Sequence, residues 1–388
     1  MKRSLLLLVP AALAACQDAP HPAAAPAPSA PLFAAAGAAV EGRYIIVLKE
    51  GSKPRSVAAI SKVAPDYVYE HALTGFAARL NQGQLTALQH NPNVAYIEQD
   101  QMMTAVATQN SAPWGLDRSD QRALPLSTTF TYGATGAGVN AYVVDTGIRF
   151  DHTDFGGRAV SGYDAVDGGS ADDCNGHGTH VAGSVGGTTY GIAKGVRLIG
   201  VRVLDCQGSG TNSGVIAGID WVTANHVKPA VANMSLGGGA STALDDAVRR
   251  SIAAGVAYSV AAGNGNWLGF AQDACKTSPA RVTEALTIGA TDKTDTKASW
   301  SNYGTCLDLF APGVGITSAW HTGASATNTI SGTSMAAPHV AGVAALYLQG
   351  TPGASPSQVA SALVGNATTG VVKSAGRGSP NRLLFTSY

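Results

Sequence analysis

ADDCNGHGTHVAG, residues 171–183, sets two histidines three positions apart, behind a cysteine and among glycines. Alone, the stretch admits a metal pair, a catalytic histidine beside a structural one, or a glycine-rich turn. His177 stands between Gly176 and Gly178, directly before a helix-like run. Small residues at such a site let a substrate backbone come close.

On either side of this stretch, strand and helix alternate. Apolar runs at 139–144 (VNAYVV), 197–203 (RLIGVRV), 231–235 (VANMS) and 256–261 (VAYSVA) read as buried strands. Between and after them, residues 212–226, 241–255 and 334–349 have helical composition. The alternation implies an α/β fold, a mostly parallel central sheet with helices on both faces. In such sheets ligands bind at the carboxyl ends of strands. The polar exceptions fall there: Asp145 ends one strand in VVDTG, Asn264 follows another in AAGN, and Ser334 opens a helix in SGTSMAAPH.

The chain before this region has two other textures. MKRSLLLLVPAALAAC pairs two basic residues with an apolar run too short to span a bilayer, and reads as a bacterial export signal over 1–15. Leu13 to Cys16 also resembles a lipobox, in which Cys16 would be acylated. Residues 16–41, rich in alanine and proline, read as a linker that cannot build a core. Residues 42–106 then carry three strand candidates (44–49, 75–80, 94–98) and two helical stretches (53–63, 82–90), a small α+β unit.

Bulk numbers limit the function classes. With 388 residues, two folded units are expected. Lys+Arg and Asp+Glu both total 25, which argues against nucleic acid as the main partner. Setting Cys16 aside leaves Cys174, Cys206, Cys275 and Cys306, an even set compatible with disulfides in three pairings. No C-x-x-C or H-E-x-x-H is present, and His177 and His180 lack an evident third ligand, so zinc is disfavoured.

A hydroxyl nucleophile needs a neighbouring base, and the base an orienting group. Asp145, His177 and Ser334 supply the three in the order Asp-His-Ser, without the G-x-S-x-G elbow of the α/β-hydrolases. Here the chain resembles the subtilisin-like serine proteases: VVDTG, NGHGTHVAG and GTSMAAPHVAG match that family's three signatures in order. Residues 107–388 resemble its proteinase K branch, and within it the aqualysin-like enzymes, through RVLDCQGSGTNSGVIAGIDWV, VANMSLGGG and SPNRLL.

The resemblance carries further expectations. It makes Asp145, His177 and Ser334 catalytic and Asn264 the oxyanion-hole side chain. Gly208, Ser209 and Gly210, with Ser235, Leu236, Gly237 and Gly238, would flank an extended substrate. Ala261, Ala262 and Gly263 would line the first specificity pocket and favour an apolar or aromatic P1 residue. Disulfides would join Cys174 to Cys206 and Cys275 to Cys306, each worth about 3–4 kcal/mol in a chain-entropy model. One or two structural calcium ions are implied, at Asp308 with carbonyls of Thr283 and Ala285, and at Asp117, Asp120, Gln121, Ser127 and Thr129. The 42–106 unit would be the inhibitory propeptide of a secreted zymogen. It would help a slow-folding parallel sheet to form and be cut off by autoprocessing within 103–109. His180 and His339 read as packing residues and His152 as a loop residue. The partners expected are protein or peptide substrates and the propeptide, acting on a monomer, with a membrane only through lipid on the precursor. Two rivals, a scaffold on an inactive protease fold and an esterase, conflict with the intact triad and with its order.

Overall fold

The computed structural model describes residues 29–35, 39–102, 106–266 and 268–388. The export signal and Cys16 lie outside the described residues. The chain divides into two compact units, Met1–Met102 and Met103–Tyr388.

In the first unit, strands Tyr67–Tyr69, Gly75–Arg79, Ala39–Leu48 and Val94–Gln101 pair antiparallel in spatial order. Helices Pro54–Ile60 and Gln82–Gln89 accompany them. The second helix is closed by a capping box between Asn81 and Gln84, so two otherwise orphaned N–H groups are satisfied reciprocally. Ile46, Phe76, Leu88 and Ile97 are fully buried at the centre of its core.

The linker expectation is corrected here. Leu32–Phe33 forms a strand parallel to Val94–Gln101, and the first long strand begins at Ala39, three residues before Gly42. Backbone bonds dock the segment, Ala30 N–H to Gln89 and Ile97 N–H to the Pro31 carbonyl. Phe33 meets the edge of Tyr96 at 5.7 Å. Composition hid this because a two-residue strand among alanines and prolines is too short to give a periodic signal.

The second unit is built on nine strands. In spatial order they are Ala159–Asp164, Arg197–Arg202, Asn140–Asp145, Ala230–Met234, Ala257–Ala261, Leu286–Thr291, Leu309–Pro312, Arg382–Leu383 and Thr368–Thr369. All neighbours pair parallel except the last two. Successive side chains point to opposite faces, and the central strands are buried on both. Ala141 and Val143 enter one core, packed with the helices His177–Gly186, Thr333–Gly350 and Pro356–Asn366. Tyr142 and Val144 enter the other, under Asn212–Asn225 and Thr242–Ala254.

From Asn140–Asp145 the chain first builds the sheet in one direction, then returns to build it in the other from Ala230–Met234. A crevice opens outside the carboxyl ends of strands at such a reversal. Asp145, Ser235 and Asn264 stand at or just beyond the ends of strands flanking it.

Candidate active site

His177 is the first residue of its helix, and Asp145 the last of its strand. The fully buried Asp145 accepts two hydrogen bonds on one oxygen, from His177 Nδ1 at 2.7 Å and from the Thr146 N–H at 2.8 Å. This fixes the imidazole as the tautomer that carries its proton on Nδ1 and leaves Nε2 free to accept one. The His177 side chain keeps 26% of its surface open, so this nitrogen can be reached. Burial alone would lower the imidazole pKa, but the Asp145 carboxylate, seconded by Asp173, raises it above the ordinary value.

Ser334 lies in the first turn of Thr333–Gly350. Its hydroxyl donates to the Ser235 carbonyl at 3.1 Å, and the Ser235 hydroxyl donates to the Ser334 carbonyl at 2.8 Å. The second bond has a cause in the sequence. Pro338, four residues on, lacks the N–H that would take the Ser334 carbonyl inside the helix, and Ser235 replaces it. The Thr333 N–H goes to Asn264 Oδ1 and the Met335 N–H to Gly332. The Ser334 N–H between them has no acceptor within the helix, as helix starts dictate.

Asn264 is oriented by the same turn. Its Oδ1 accepts from both the Thr333 N–H and Oγ1, at 2.8 and 2.9 Å. The amide nitrogen is thereby turned the other way, as a donor beside Gly332. Thr333 carried no weight in the sequence reading, since a buried threonine has no chemical signature until its neighbours are known.

Two hollows adjoin along 236–238. One, of about 490 Å³, is lined by His177, Leu204, Gly208, Ser209, Gly210 and Ser235 among others. The second, of about 270 Å³, is lined by Ala261, Ala262, Gly263, Asn264, Asn302 and Ser334 among others. All ten expected substrate-flanking residues line one hollow or the other. Asn302 was missed: its side chain donates to the Ala262 carbonyl and accepts from the N–H groups of Gly265 and Gln272, bracing the wall of the second hollow. A lone asparagine thirty-eight residues beyond Asn264 gives no sequence signal of this.

The glycines around His177 are corrected. A side chain on Gly178 would meet the Gly147 carbonyl at 2.1 Å, and one on Gly176, at φ +108°, would meet Trp320 and His321. They are small because protein packs there, and not to admit substrate. His180 is fully buried and its Nε2 donates to the Ile316 carbonyl at 3.0 Å, while burial lowers its pKa to about 4. His339 donates from Nδ1 to Met335 and is likewise lowered to about 4 by burial. His152 caps a short helical turn and donates to Ala326, so it is a buried brace. No cluster of three or more metal-ligating His, Cys, Asp or Glu side chains occurs among the described residues.

The cysteines pair as Cys174–Cys206 and Cys275–Cys306. Burial pushes the Asp308 carboxyl up to about 6, against a hydrogen bond from the Thr287 N–H and the charge of Arg382. Burial disfavours the charged form of this carboxylate, the kind of group that a hard cation would stabilise. At the second place, Asp120 is pushed to about 6 by burial and its Oδ1 has no partner among the described residues. Asp117 fits less well. Its oxygens already accept from the Ser127 N–H and hydroxyl and from the Thr128 N–H, and Ser127 is bonded in turn to Thr129.

Residues 136–383 match the model of the Subtilase family, and residues 43–105 match that of Peptidase inhibitor I9. The chain is 58% identical to an extracellular serine proteinase of Thermus sp. (strain Rt41A), over 99% of this chain and 98% of that one. It is 50% identical to alkaline serine exoprotease A of Vibrio alginolyticus, over 90% and 68%. A crystal structure of a cold-adapted subtilisin-like serine proteinase superposes with a TM-score of 0.69 at 55% identity, covering 72% of this chain and all of the other.

Proposed function

The chain belongs to the subtilase family and is a serine endopeptidase with an I9-type propeptide, and from that premise we propose how its residues divide the work. Ser334 Oγ attacks the scissile carbonyl carbon as His177 Nε2 takes its proton. The carbonyl oxygen becomes an oxyanion held by Asn264 Nδ2 and the Ser334 N–H. When the tetrahedral species collapses, the C–N bond breaks, the amine leaves with the proton from His177, and an acyl-serine ester remains. Water, deprotonated by His177, then repeats the sequence to release the acid. Asp145 holds the ring and stabilises the imidazolium formed in each half. The observation that carries this reading is the 2.7 Å Asp145–His177 contact in a cleft that also presents Ser334 and Asn264.

Casein hydrolysis by the processed wild type, lost in Ser334→Ala with folding retained, is the expected result. The drop is on the order of 10⁶-fold, the scale typical when a triad nucleophile is removed. No activity in the processed wild type would favour a binding scaffold on the same fold.

The substrate is held extended between 236–238 and 208–210 by main-chain hydrogen bonds, a mode tolerant of sequence. The second hollow takes an apolar or aromatic P1 side chain. The enzyme works outside the cell, as the Thermus relative's description says of that protein. The propeptide takes in the strand Leu32–Phe33 and the start of Ala39–Leu48 as well as 42–106, with peptidase from 107 onward. Autoprocessing falls within 103–109, of which 103–105 lie outside the described residues. If Cys16 is acylated, the anchor leaves with the propeptide and the mature protease is released. Lipid on the mature domain would refute this.

Asp308, with carbonyls of Thr283 and Ala285, binds calcium, and Asp120 with Gln121 forms a second, weaker place. Chelation is expected to lower Tm in the wild type and to have a much smaller effect in Asp308→Asn. Equal losses in both would remove Asp308 from the site.

A further inference from the structure

The helix bearing His177 begins without a conventional cap, because its capping position is Gly176, which has no side chain to offer. Its first N–H groups are nevertheless all taken. His177 N–H donates to Asn175 Oδ1, Gly178 N–H to Thr146 Oγ1 and Thr179 N–H to Asp173 Oδ2. Asp173 does far more than cap. Its Oδ1 accepts from the Thr146 hydroxyl, the Asn175 N–H and the Gly176 N–H, each at 2.9 Å. Its Oδ2 accepts from the Thr179 N–H at 2.9 Å and from the Thr179 hydroxyl at 2.6 Å.

These five bonds join the two elements on which the His177–Asp145 contact depends. Thr146 follows Asp145 directly, and its hydroxyl connects Asp173 on one side with Gly178 on the other. The Thr179 hydroxyl also accepts the Arg149 N–H, drawing in the segment beyond the strand. A carboxylate at a helix start is further favoured by the positive end of the helix dipole. With Gly178 pressed against the Gly147 carbonyl, strand end and helix start are in direct contact, and one charged group is bonded to both.

We propose that Asp173 is a positioning residue for catalysis: through Thr146 and the first turn of the helix it holds the His177 ring in register with Asp145. The proposal rests on the assignment of His177 as general base. The charged and titratable groups around that ring are Asp145 on the strand, Asp173 on the loop, His180 one turn along the helix, and His321 beside Gly176. Asp145 and Asp173 both favour the imidazolium, so loss of the Asp173 charge moves the acid limb of the rate profile to lower pH.

The test measures kcat and KM on a peptide substrate across the pH range for wild type, Asp173→Asn, Thr146→Val, Thr146→Ser and His177→Ala. Asp173→Asn keeps the shape but loses the charge and one oxygen that accepts from Thr179. Its kcat should fall by about tenfold or more, the scale of a small misplacement of a catalytic group, with KM within about twofold. Its acid limb should move to lower pH. Thr146→Val, which keeps the charge, should lower kcat several-fold with the limb in place, and Thr146→Ser should restore it. Should Asp173→Asn fail to fold or mature, the Thr146 pair decides: Val indistinguishable from wild type overturns the proposal, and loss with rescue by Ser supports it. A folded Asp173→Asn that loses Tm while kcat and limb stay unchanged also overturns it. An active His177→Ala would instead overturn the base assignment, so the two failures are distinguishable.

Discussion

The strand end at Asp145 and the helix at Arg118 each bury a carboxylate against a basic side chain, and the two regions use it differently. Arg118 is fully buried and grips Asp295 with two nitrogens, Nε to Oδ1 at 2.7 Å and Nη2 to Oδ2 at 3.0 Å. Its remaining nitrogen Nη1 donates to the Gln121 carbonyl. At Asp145 one oxygen takes both bonds, the other has no partner, and the basic side chain opens onto a cleft. A structural pair is closed on itself, whereas a catalytic one leaves a nitrogen for a third party. The difference lies in what faces the base, since burial of the acid is nearly the same in both.

The largest expected effect that would break this contrast is at Asp145. Asp145→Asn removes the acceptor that selects the tautomer, so kcat should fall by about 10⁴-fold while Tm changes little. A large loss of Tm with kcat retained in the folded fraction would make Asp145 a structural residue like Asp295. Arg118→Met is the mirror experiment. It strands Asp295 as a buried unpaired charge and should destabilise by about 3–5 kcal/mol in denaturant titration, leaving kcat of the folded enzyme unchanged. A fall in kcat at full occupancy of the folded state would erase the distinction.

A further contrast sets His177 against buried histidines of its own helix and of the helix bearing Ser334. His177 is raised by Asp145, whereas His180, one turn on, and His339 are lowered to about 4 by burial. Unfolded histidines titrate near 6.5. Between about pH 6.5 and 4 these two histidines therefore bind more protons unfolded than folded and lower stability as pH drops. Asp120 and Asp308, raised to about 6, oppose them below about pH 6. Above that window, these two histidines contribute no slope. The Tm difference between inhibitor-blocked wild type and His339→Gln, followed from neutral pH to about pH 4, isolates one histidine and should shift in the variant's favour as pH drops. A difference that does not change with pH would mean His339 protonates in the fold without cost.

Much of this was legible in the residues. The alternation that predicts a parallel sheet survives in Asn140–Asp145, Arg197–Arg202, Ala230–Met234 and Ala257–Ala261, because buried strands must be apolar on both faces. Short strands such as Leu309–Pro312 and Arg382–Leu383 escaped, being too brief for a period to register. Leu32–Phe33 escaped likewise, being two residues long in an alanine- and proline-rich setting. The glycines beside His177 were read as room for substrate, since a sequence shows that a site is small but not what fills the space.

The sequence by itself determined the class of fold, the order Asp145, His177, Ser334, and the even set of cysteines. Such features depend on residue type and local periodicity, which are written along the chain. Only the tertiary structure decided that Asp173 joins strand to helix, that Ser235 answers the carbonyl freed by Pro338, and that Thr333 aims Asn264. Each is a hydrogen bond whose need arises from folding itself, a donor or acceptor left over when a helix starts or a proline interrupts. Its partner comes from whichever side chain the topology brings within reach.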